Sequence, residues 1–285
     1  MSQQDRLPAE GESSGHLPYV HGSGATEQRR LERRTAAAAA AFFLPHLRPG
    51  MRLLDCGCGV GSITLGLAAA VAPAAVVGID LQPAQIERAR VLAATQGVRN
   101  VRFEVGSVYA LPLPDASVEA AFTHTLLFHL REPVRALREM RRVLVPGGVV
   151  GIADADMGTL LSEPERPVLT KMYRLFWKVI RHHGGDPCFG RRERRILLEA
   201  GFSRPTASPT FETAGAHGTP EETREVAAWL VDQLRQPAFV ALVTARGWAD
   251  QAALEAMAAE RLDWGARPDA YHAAMGVAAV GWLDG

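Results

Sequence analysis

The residues best suited to chemistry lie in a glycine-rich segment, LLDCGCGVG, at residues 53–61. Its glycines let the backbone turn tightly between a strand and a helix, so that a ligand can lie against the loop. A dinucleotide-binding fingerprint would have glycine or alanine at position 62, where this chain has Ser62. Asp55 comes two residues before the first glycine and would repel a pyrophosphate. An acidic residue there suits a ligand that carries an ammonium group.

A second acidic residue, Asp80, ends the next predicted strand, 19 residues beyond Gly61. A carboxylate at this place can accept hydrogen bonds from both hydroxyls of a ribose. Asp55 and Asp80 together predict a site for an adenosine with a cationic amino-acid tail, which describes S-adenosylmethionine. The competing interpretation is that the glycines serve only the turn and that Asp80 caps the following helix.

Alternating strands and helices position these residues. Short apolar runs predict five strands, at 51–55, 75–80, 101–105, 118–123 and 149–153. Helices are predicted at 27–47, 62–71 and 83–96, and along an apolar stripe from Val134 to Leu144. A tight turn is expected at Pro146-Gly147-Gly148. Five strands separated by helices predict a parallel sheet with helices on both faces.

The alternation stops after Asp156. Helices are expected at 168–183 and 191–200 and along 221–263, with further strands near 205–213 and 270–282. We therefore expect a flexible segment at 1–26 and one domain at 27–285. Within that domain, lid-like helical insertions are predicted at 157–190 and 221–265.

Composition excludes several classes of protein. The chain of 285 residues has 31 basic and 31 acidic side chains, so no excess of positive charge favours a nucleic-acid partner. The three cysteines form no disulfide framework, and Cys56-x-Cys58 lacks the second pair of a zinc site, so we expect no metal. No apolar run is long enough to span a membrane, which predicts a cytoplasmic protein. Its preference for arginine and alanine is typical of a GC-rich bacterial genome.

Taken together, these motifs resemble the class I S-adenosylmethionine-dependent methyltransferases, in the branch that includes the ubiquinone/menaquinone-biosynthesis type and many bacterial small-molecule enzymes. The resemblance rests on LLDCGCGVG, VVGIDLQPAQIERAR, VRFEVGSVYALPLPDASVEAAFTHTLLFHL and ALREMRRVLVPGG, and it is closest over 47–153. It implies an α/β, Rossmann-like fold with a seven-stranded, mostly parallel sheet in which six strands are parallel and one is antiparallel. The cofactor is then expected across the carboxyl ends of the strands.

The resemblance also implies which residues contact the cofactor. These are Tyr19, Asp55, Gly57, Cys58, Gly59, Asp80, Leu81, Gln82, Ser107, Val108, Thr123 and His124. Asp55 and Gly57 would lie near the methionine end, Asp80 at the ribose, and Leu81 and Gln82 beside the adenine. Ser107 stands where relatives usually have an aspartate that binds the adenine amino group, and a hydroxyl accepts that bond more weakly. Tyr19 would belong to an N-terminal segment that closes over the cofactor, although an ordinary surface residue fits the sequence as well.

Methyl transfer from a sulfonium requires a positioned acceptor, the exclusion of water and, for an acidic OH or NH, removal of a proton. His124 and His129 are the candidate bases because imidazole titrates near neutrality, although His129 could simply pack. Four further residues are candidates to line a substrate chamber: Asp154, Tyr173, Phe176 and Trp177. A solvated acid and ordinary aromatic packing are the alternatives for them.

The sequence therefore predicts methyl transfer to a small, partly apolar organic acceptor of specialised metabolism, with S-adenosylhomocysteine as the product. The alternatives are a methyltransferase-like protein that keeps its cofactor for a non-methylating reaction or a binding role, and an NAD-dependent oxidoreductase. Whether O, N or C is methylated stays open. The helices over 221–263 could supply a homodimer surface.

Overall fold

The structure, a computed structural model, describes residues 25–210, 216–217 and 219–285. Tyr19 and most of the segment predicted to be flexible lie outside these residues. Helix α1 already begins at Ala25, within the last two residues of that segment.

The first half of the chain alternates between strands and helices. Its elements are α1 (Ala25–Glu32), α2 (Ala36–Ala39), β1 (Leu53–Cys56), α3 (Ser62–Val71), β2 (Val76–Asp80), α4 (Pro83–Gln96), β3 (Val101–Val105), β4 (Val118–His124), α5 (Pro133–Val143) and β5 (Leu144–Ala155). Helices α3 and α4 have the predicted bounds because local signals set their ends. Gly61 precedes α3 in a left-handed conformation, and Pro83 begins α4 where its missing N–H costs nothing.

The second half is mostly helical. Its elements are β6 (Leu161–Glu163), α6 (Pro167–His182), α7 (Glu193–Glu199), β7 (Ser203–Thr210), β8 (Ala216–His217), α8 (Pro220–Leu234), α9 (Pro237–Ala245), α10 (Gln251–Ala266), β9 (Tyr271–Ala273) and β10 (Gly276–Trp282). We call α6, α8, α9 and α10 the helical layer.

A seven-stranded sheet runs in the order β3-β2-β1-β4-β5-β10-β7. Strand β10 pairs antiparallel with both β5 and β7, whereas β1 to β5 pair in parallel, so the predicted arrangement of six parallel strands and one antiparallel strand is confirmed. The order reverses between β1 and β4. In open α/β sheets, ligands bind beyond the carboxyl ends of the strands at such a reversal.

Two predicted elements of the first half differ in the structure. The helix predicted at 27–47 is interrupted, because the side chain of Thr35 accepts a hydrogen bond from the Ala38 N–H and starts α2 as a new helix. The tight turn predicted at 146–148 lies inside β5. There the pairing shifts between Val118 and Ala120, and Gly147, with φ of 78°, supplies the left-handed conformation of the resulting bulge.

The second half contains a sheet that the sequence did not predict. Strands β6, β9 and β8 form a three-stranded sheet in that order, and each has only two or three residues. The helical stretch predicted at 221–263 is divided into three helices. Pro237 begins the second, and the side chain of Asp250 caps the third by accepting from the Ala253 N–H.

Apolar side chains fill the space between these layers. Helix α5 buries Leu137 and Met140 against one face of the sheet, and on the other face the ring of Phe43 stacks on that of Phe122 with centroids 5.5 Å apart. A separate apolar cluster holds the helical layer together around the buried Trp264. No described helix combines the length and the apolar character that crossing a bilayer requires.

Candidate active site

The carboxyl ends of β1 and β2 bring the two predicted acidic residues to one place. The strands pair in parallel with Cys56 opposite Ile79. Asp55 and Asp80 therefore lie near the same edge of the sheet, on adjacent strands. Both line a cavity of about 410 Å³ at the reversal of strand order, a volume suited to a small-molecule ligand. The predicted residues that line it are Asp55, Gly57, Cys58, Gly59, Asp80, Leu81, Gln82, Ser107, Val108, His124 and His129.

Glycine is required at two places in the loop after β1. At Gly61, with φ of 79°, an added Cβ would lie 2.7 Å from the Phe103 ring. At Gly57, with φ of 73°, it would lie 3.2 Å from Leu126 on the opposite wall of the cavity. The Gly57 N–H donates to the Ile79 carbonyl at 2.7 Å, which fixes the loop against β2. Backbone therefore forms this side of the cavity, where side chains would reduce the space for a ligand.

The carboxylate of Asp80 is held by two backbone donors. One oxygen accepts from the Gly59 N–H at 3.0 Å and the other from the Gln82 N–H at 2.9 Å. Burial raises the pKa of Asp80 despite these bonds. Each oxygen keeps a further lone pair, so the carboxylate can still accept two hydroxyl donors.

Asp55 is nearly inaccessible to solvent, at 3% exposure. The Thr64 hydroxyl donates to it at 2.6 Å. Burial raises the pKa of Asp55 to about 7, and the negative charge of Asp80 adds to this increase. A cavity with two such carboxylates favours a cationic ligand, which would compensate their buried charge.

Two histidines form part of the opposite wall. His124 lies with its Nδ1 3.4 Å from the Thr125 hydroxyl oxygen, and its Nε2 has no hydrogen-bond partner among the described residues. Burial, with contributions from the positive charges of Arg34 and Arg30, holds the pKa of His124 well below 6.5. Burial likewise lowers the pKa of His129 to about 3. Both imidazoles are therefore neutral at physiological pH.

Thr123 and Asp154 are buried beside the cavity but are not part of its wall. Asp154 accepts hydrogen bonds from the N–H groups of Leu127 and Phe128 at 3.3 and 3.4 Å. Burial raises the pKa of Asp154 to about 8. The carboxyl group thus holds the segment between Leu126 and His129, which does line the cavity. The predicted role of Asp154 in orienting an acceptor stays a prediction.

The three aromatic residues proposed for a substrate chamber lie in the helical layer, away from the wall of this cavity. The Tyr173 hydroxyl is 3.2 Å from Nδ1 of His272, and the Phe176 ring packs on Phe239 with centroids 5.1 Å apart. Trp177 is half-buried, 5.9 Å from the Arg181 guanidinium. Their predicted contact with substrate stays a prediction.

Gln85 and Arg34 are among the polar cavity residues that the sequence did not indicate. Gln85 lines the cavity from the first turn of α4, is 4% exposed, and its Oε1 has no hydrogen-bond partner among the described residues. Arg34 lines it from the segment between α1 and α2 and donates to the Thr125 hydroxyl at 3.1 Å. The place of Gln85, five residues after Asp80 and in the first turn of α4, could have indicated the first. Arg34 lies in a stretch where the sequence predicted an uninterrupted helix.

Comparisons with known proteins identify the family. A family model described as a methyltransferase domain matches residues 47–181. Demethylmenaquinone methyltransferase of Staphylococcus aureus is 33% identical over 179 residues, which are 59% of this chain and 69% of that protein. The chain belongs to the methyltransferase family. The matched family region includes every cavity residue from Asp55 to His129, whereas most of the helical layer lies beyond it.

Other curated relatives are matched over a smaller part of their length. A 37.1 kDa protein of transposon TN4556 in Streptomyces fradiae is 38% identical over 164 residues, 57% of this chain and 46% of that protein. The chain spans 46%, 63% and 51% of the first three curated relatives that it matches, so about half to two thirds of their length.

Solved structures share the methyltransferase fold. The cyclase SpnF superposes with a TM-score of 0.56 at 23% identity, over 89% of this chain and 85% of that chain. Phosphoethanolamine N-methyltransferase 2 of Haemonchus contortus, solved with S-adenosyl-L-methionine, gives 0.53 at 18% identity, over 87% of this chain and 52% of that chain. Similarity at this level shows the fold alone.

Proposed function

We propose that this chain is an S-adenosylmethionine-dependent methyltransferase that acts on a small organic acceptor and releases S-adenosylhomocysteine. One observation carries the proposal. The carboxylates of Asp55 and Asp80 line one cavity at the reversal of strand order, and burial raises the pKa of both. A nicotinamide dinucleotide would bring a pyrophosphate to the glycine-rich loop, where Asp55 would repel it.

The residues of the cavity fit this cofactor from one end to the other. Asp55 would hold the amino end of the methionine, and Asp80 would accept the ribose hydroxyls. Gln85 has a buried carbonyl oxygen without a partner among the described residues, and it would accept the adenine amino group. This acceptor would compensate for Ser107, which replaces the aspartate that relatives have. Six further predicted residues line the cavity: Gly57, Cys58, Gly59, Leu81, Gln82 and Val108.

When bound, S-adenosylmethionine supplies an activated methyl group. The chain has to orient the acceptor, exclude water and receive a proton where the acceptor carries one. His124 is the candidate for the last task, because its neutral imidazole lines the cavity with Nε2 available to accept a hydrogen bond. His129 lies in the same wall, and its ring packs 3.7 Å from that of Phe128. We assign it a positioning role and His124 the proton transfer.

The acceptor is proposed to be a small metabolite of specialised metabolism in a bacterial cytoplasm. The balance of 31 basic and 31 acidic side chains supports this over a nucleic acid, which would require a basic surface. The proposal invokes no metal ion. A homodimer through the helical layer is compatible with it and does not affect the chemistry.

A turnover assay tests the proposal. The protein is incubated with S-adenosylmethionine and a panel of phenols, amines and carbon nucleophiles, and S-adenosylhomocysteine is quantified. We expect product that depends on the acceptor and is lost in Asp80→Ala. Cofactor binding without turnover on any acceptor would instead favour a non-methylating reaction or a binding role.

A further inference from the structure

One arginine of the helical layer is buried with no counter-ion among the described residues. Arg261 lies on α10 and has 0% exposure. All three of its guanidinium nitrogens lack a hydrogen-bond partner among the described residues. No described carboxylate forms an ion pair with it, although the surface arginines of the same layer, such as Arg166 and Arg235, do have such partners.

Aromatic rings flank the guanidinium of Arg261. Its central carbon lies 4.2 Å from the centroid of the Trp264 ring and 5.9 Å from that of Tyr173. The Trp264 N–H is engaged, since it donates to the Pro164 carbonyl at 3.0 Å. Both rings therefore lie within cation–π distance of the guanidinium, while its N–H groups have no acceptor among the described residues.

Further polar groups surround the same aromatic residues. His272 packs on the Tyr173 ring and lies 3.2 Å from its hydroxyl. Ser162 is paired with His272 across the small sheet, and its hydroxyl oxygen is buried without a hydrogen-bond partner among the described residues. We call Arg261, Tyr173, Trp264, His272 and Ser162 the arginine cluster.

A buried cation that has no partner within the described part of the chain is costly. Burying a charge without a partner carries a penalty that cation–π contacts repay only in part. Burial accordingly lowers the pKa of Arg261. Arginine nevertheless stays protonated in proteins, so its five N–H donors remain available to an acceptor. An oxyanion is the group that a planar guanidinium binds best, through two parallel hydrogen bonds.

We propose that the arginine cluster binds the carboxylate or phosphate group of an anionic small molecule. Assigning this molecule as the methyl acceptor rests on the proposed function, whereas the anion site does not. Helix α1 links the two regions. Its Leu31 lines the cofactor cavity, and its Arg30 stacks on Trp229 of α8 at 4.4 Å. Helix α8 packs along α10, which carries Arg261.

The test measures thermal unfolding and tryptophan fluorescence of the full chain at constant ionic strength. Sodium benzoate and inorganic phosphate serve as the probes for a carboxylate and a phosphate, and sodium chloride is the reference. We expect at least one probe to raise Tm by about 2–4 °C at concentrations several times its Kd. The same probe should change the fluorescence, because Trp264 contacts Arg261.

Two variants determine whether Arg261 is responsible. Arg261→Met removes the charge but keeps a similar apolar volume, and Arg235→Met removes an exposed arginine of the same layer that pairs with Glu255. We expect Arg261→Met to raise the Tm of the free protein, because an uncompensated buried charge is lost, and to abolish the response to both probes. Arg235→Met should keep the wild-type response. Arg261→Lys should fold with a weakened response, since lysine keeps the charge but not the planar fork.

Two results would overturn the proposal. One is that neither probe shifts Tm or fluorescence of the wild type relative to chloride, and this result needs no variant to fold. The other is that Arg261→Met responds to the probes as the wild type does. Binding of S-adenosylmethionine is measured in parallel. If the wild type binds the cofactor but does not respond to anions, the anion site alone is refuted. If the wild type does not bind the cofactor, the proposed function is refuted.

Discussion

Asp55 and Asp80 lie at the carboxyl ends of adjacent parallel strands, and the negative charge of Asp80 contributes to the raised pKa of Asp55. Two buried carboxylates so close together are unfavourable in the free protein. A ligand that brings a positive charge close to Asp55 would offset this repulsion. Because this relationship exists before any ligand binds, it can be measured in the free protein.

The stability of the free protein should depend on pH through Asp55. Its folded pKa of about 7 lies above its unfolded value of about 4, so the folded state binds more protons between these values. The free energy of unfolding therefore falls as pH rises through this window. We expect Asp55→Asn to reduce that decline by up to about 1.4 kcal/mol per pH unit. Urea unfolding at pH 5, 6 and 7 checks this; equal slopes in both proteins would contradict it.

The response of turnover to pH should show that His124 is neutral. Because its pKa is well below 6.5, the acidic limb of the kcat profile should also lie well below that value. If His124 receives the proton, His124→Gln should lower kcat about 100-fold or more. His182→Gln, an exposed histidine of α6, is the control. A wild-type limb near pH 6.5, or a fully active His124→Gln, would argue against this role.

Gln85 should contribute to recognition of the adenine. Gln85→Met keeps the volume but removes the carbonyl oxygen, and the lost hydrogen bond should weaken S-adenosylhomocysteine binding about 3- to 10-fold. Gln96→Met, at the exposed end of the same helix, should have no effect. A cofactor analogue without the adenine amino group provides the second arm. It should bind the wild type and Gln85→Met with similar affinity. If Gln85→Met weakened binding of the analogue as much as it weakens binding of S-adenosylhomocysteine, the contact between Gln85 and the adenine amino group would be excluded.

Asp154 should act through the backbone that it holds. Asp154→Ala leaves the N–H groups of Leu127 and Phe128 without their acceptor and should destabilise the protein by about 1–3 kcal/mol. Asp154→Asn should cost less at pH 7, because with a pKa of about 8 the native side chain is already mostly neutral there. Denaturant unfolding compares the two. An alanine variant as stable as the wild type would show that these bonds contribute little.

The sequence predicted the sheet, and the positions of Asp55 and Asp80 at one edge of it, because the sequence signals for both are local. Local signals mark where helices begin, at Gly61 and Pro83, and acidic residues mark the ends of β1 and β2. The parallel pairing of these two strands then brings the acidic residues together. No local sequence signal shows in which direction a side chain at the end of a strand points. Asp154 directly follows a predicted strand, at the same edge of the sheet as Asp80, but its side chain accepts hydrogen bonds from the backbone of the loop after β4.

Tertiary contacts determined what the sequence left out. The three-stranded sheet β6-β9-β8 is built from strands too short to show a periodicity of two. Arg261 lies in a helix whose pattern gives no indication that a charge would be buried, since the packing of α10 on α8 and α6 encloses it. The aromatic residues of α6 were recognised as a group, but their partners, such as Phe239 and His272, lie far along the chain.

The most direct test of the account is calorimetric binding of S-adenosylmethionine and S-adenosylhomocysteine, with NAD as the comparator. We expect saturable binding of the first two and none of NAD. Asp80→Ala should weaken binding strongly, whereas Glu87→Ala, which removes an exposed carboxylate from the helix after β2, should not. Binding of NAD in preference to both, or equal binding by wild type and Asp80→Ala, would contradict the assignment of this cavity to the cofactor.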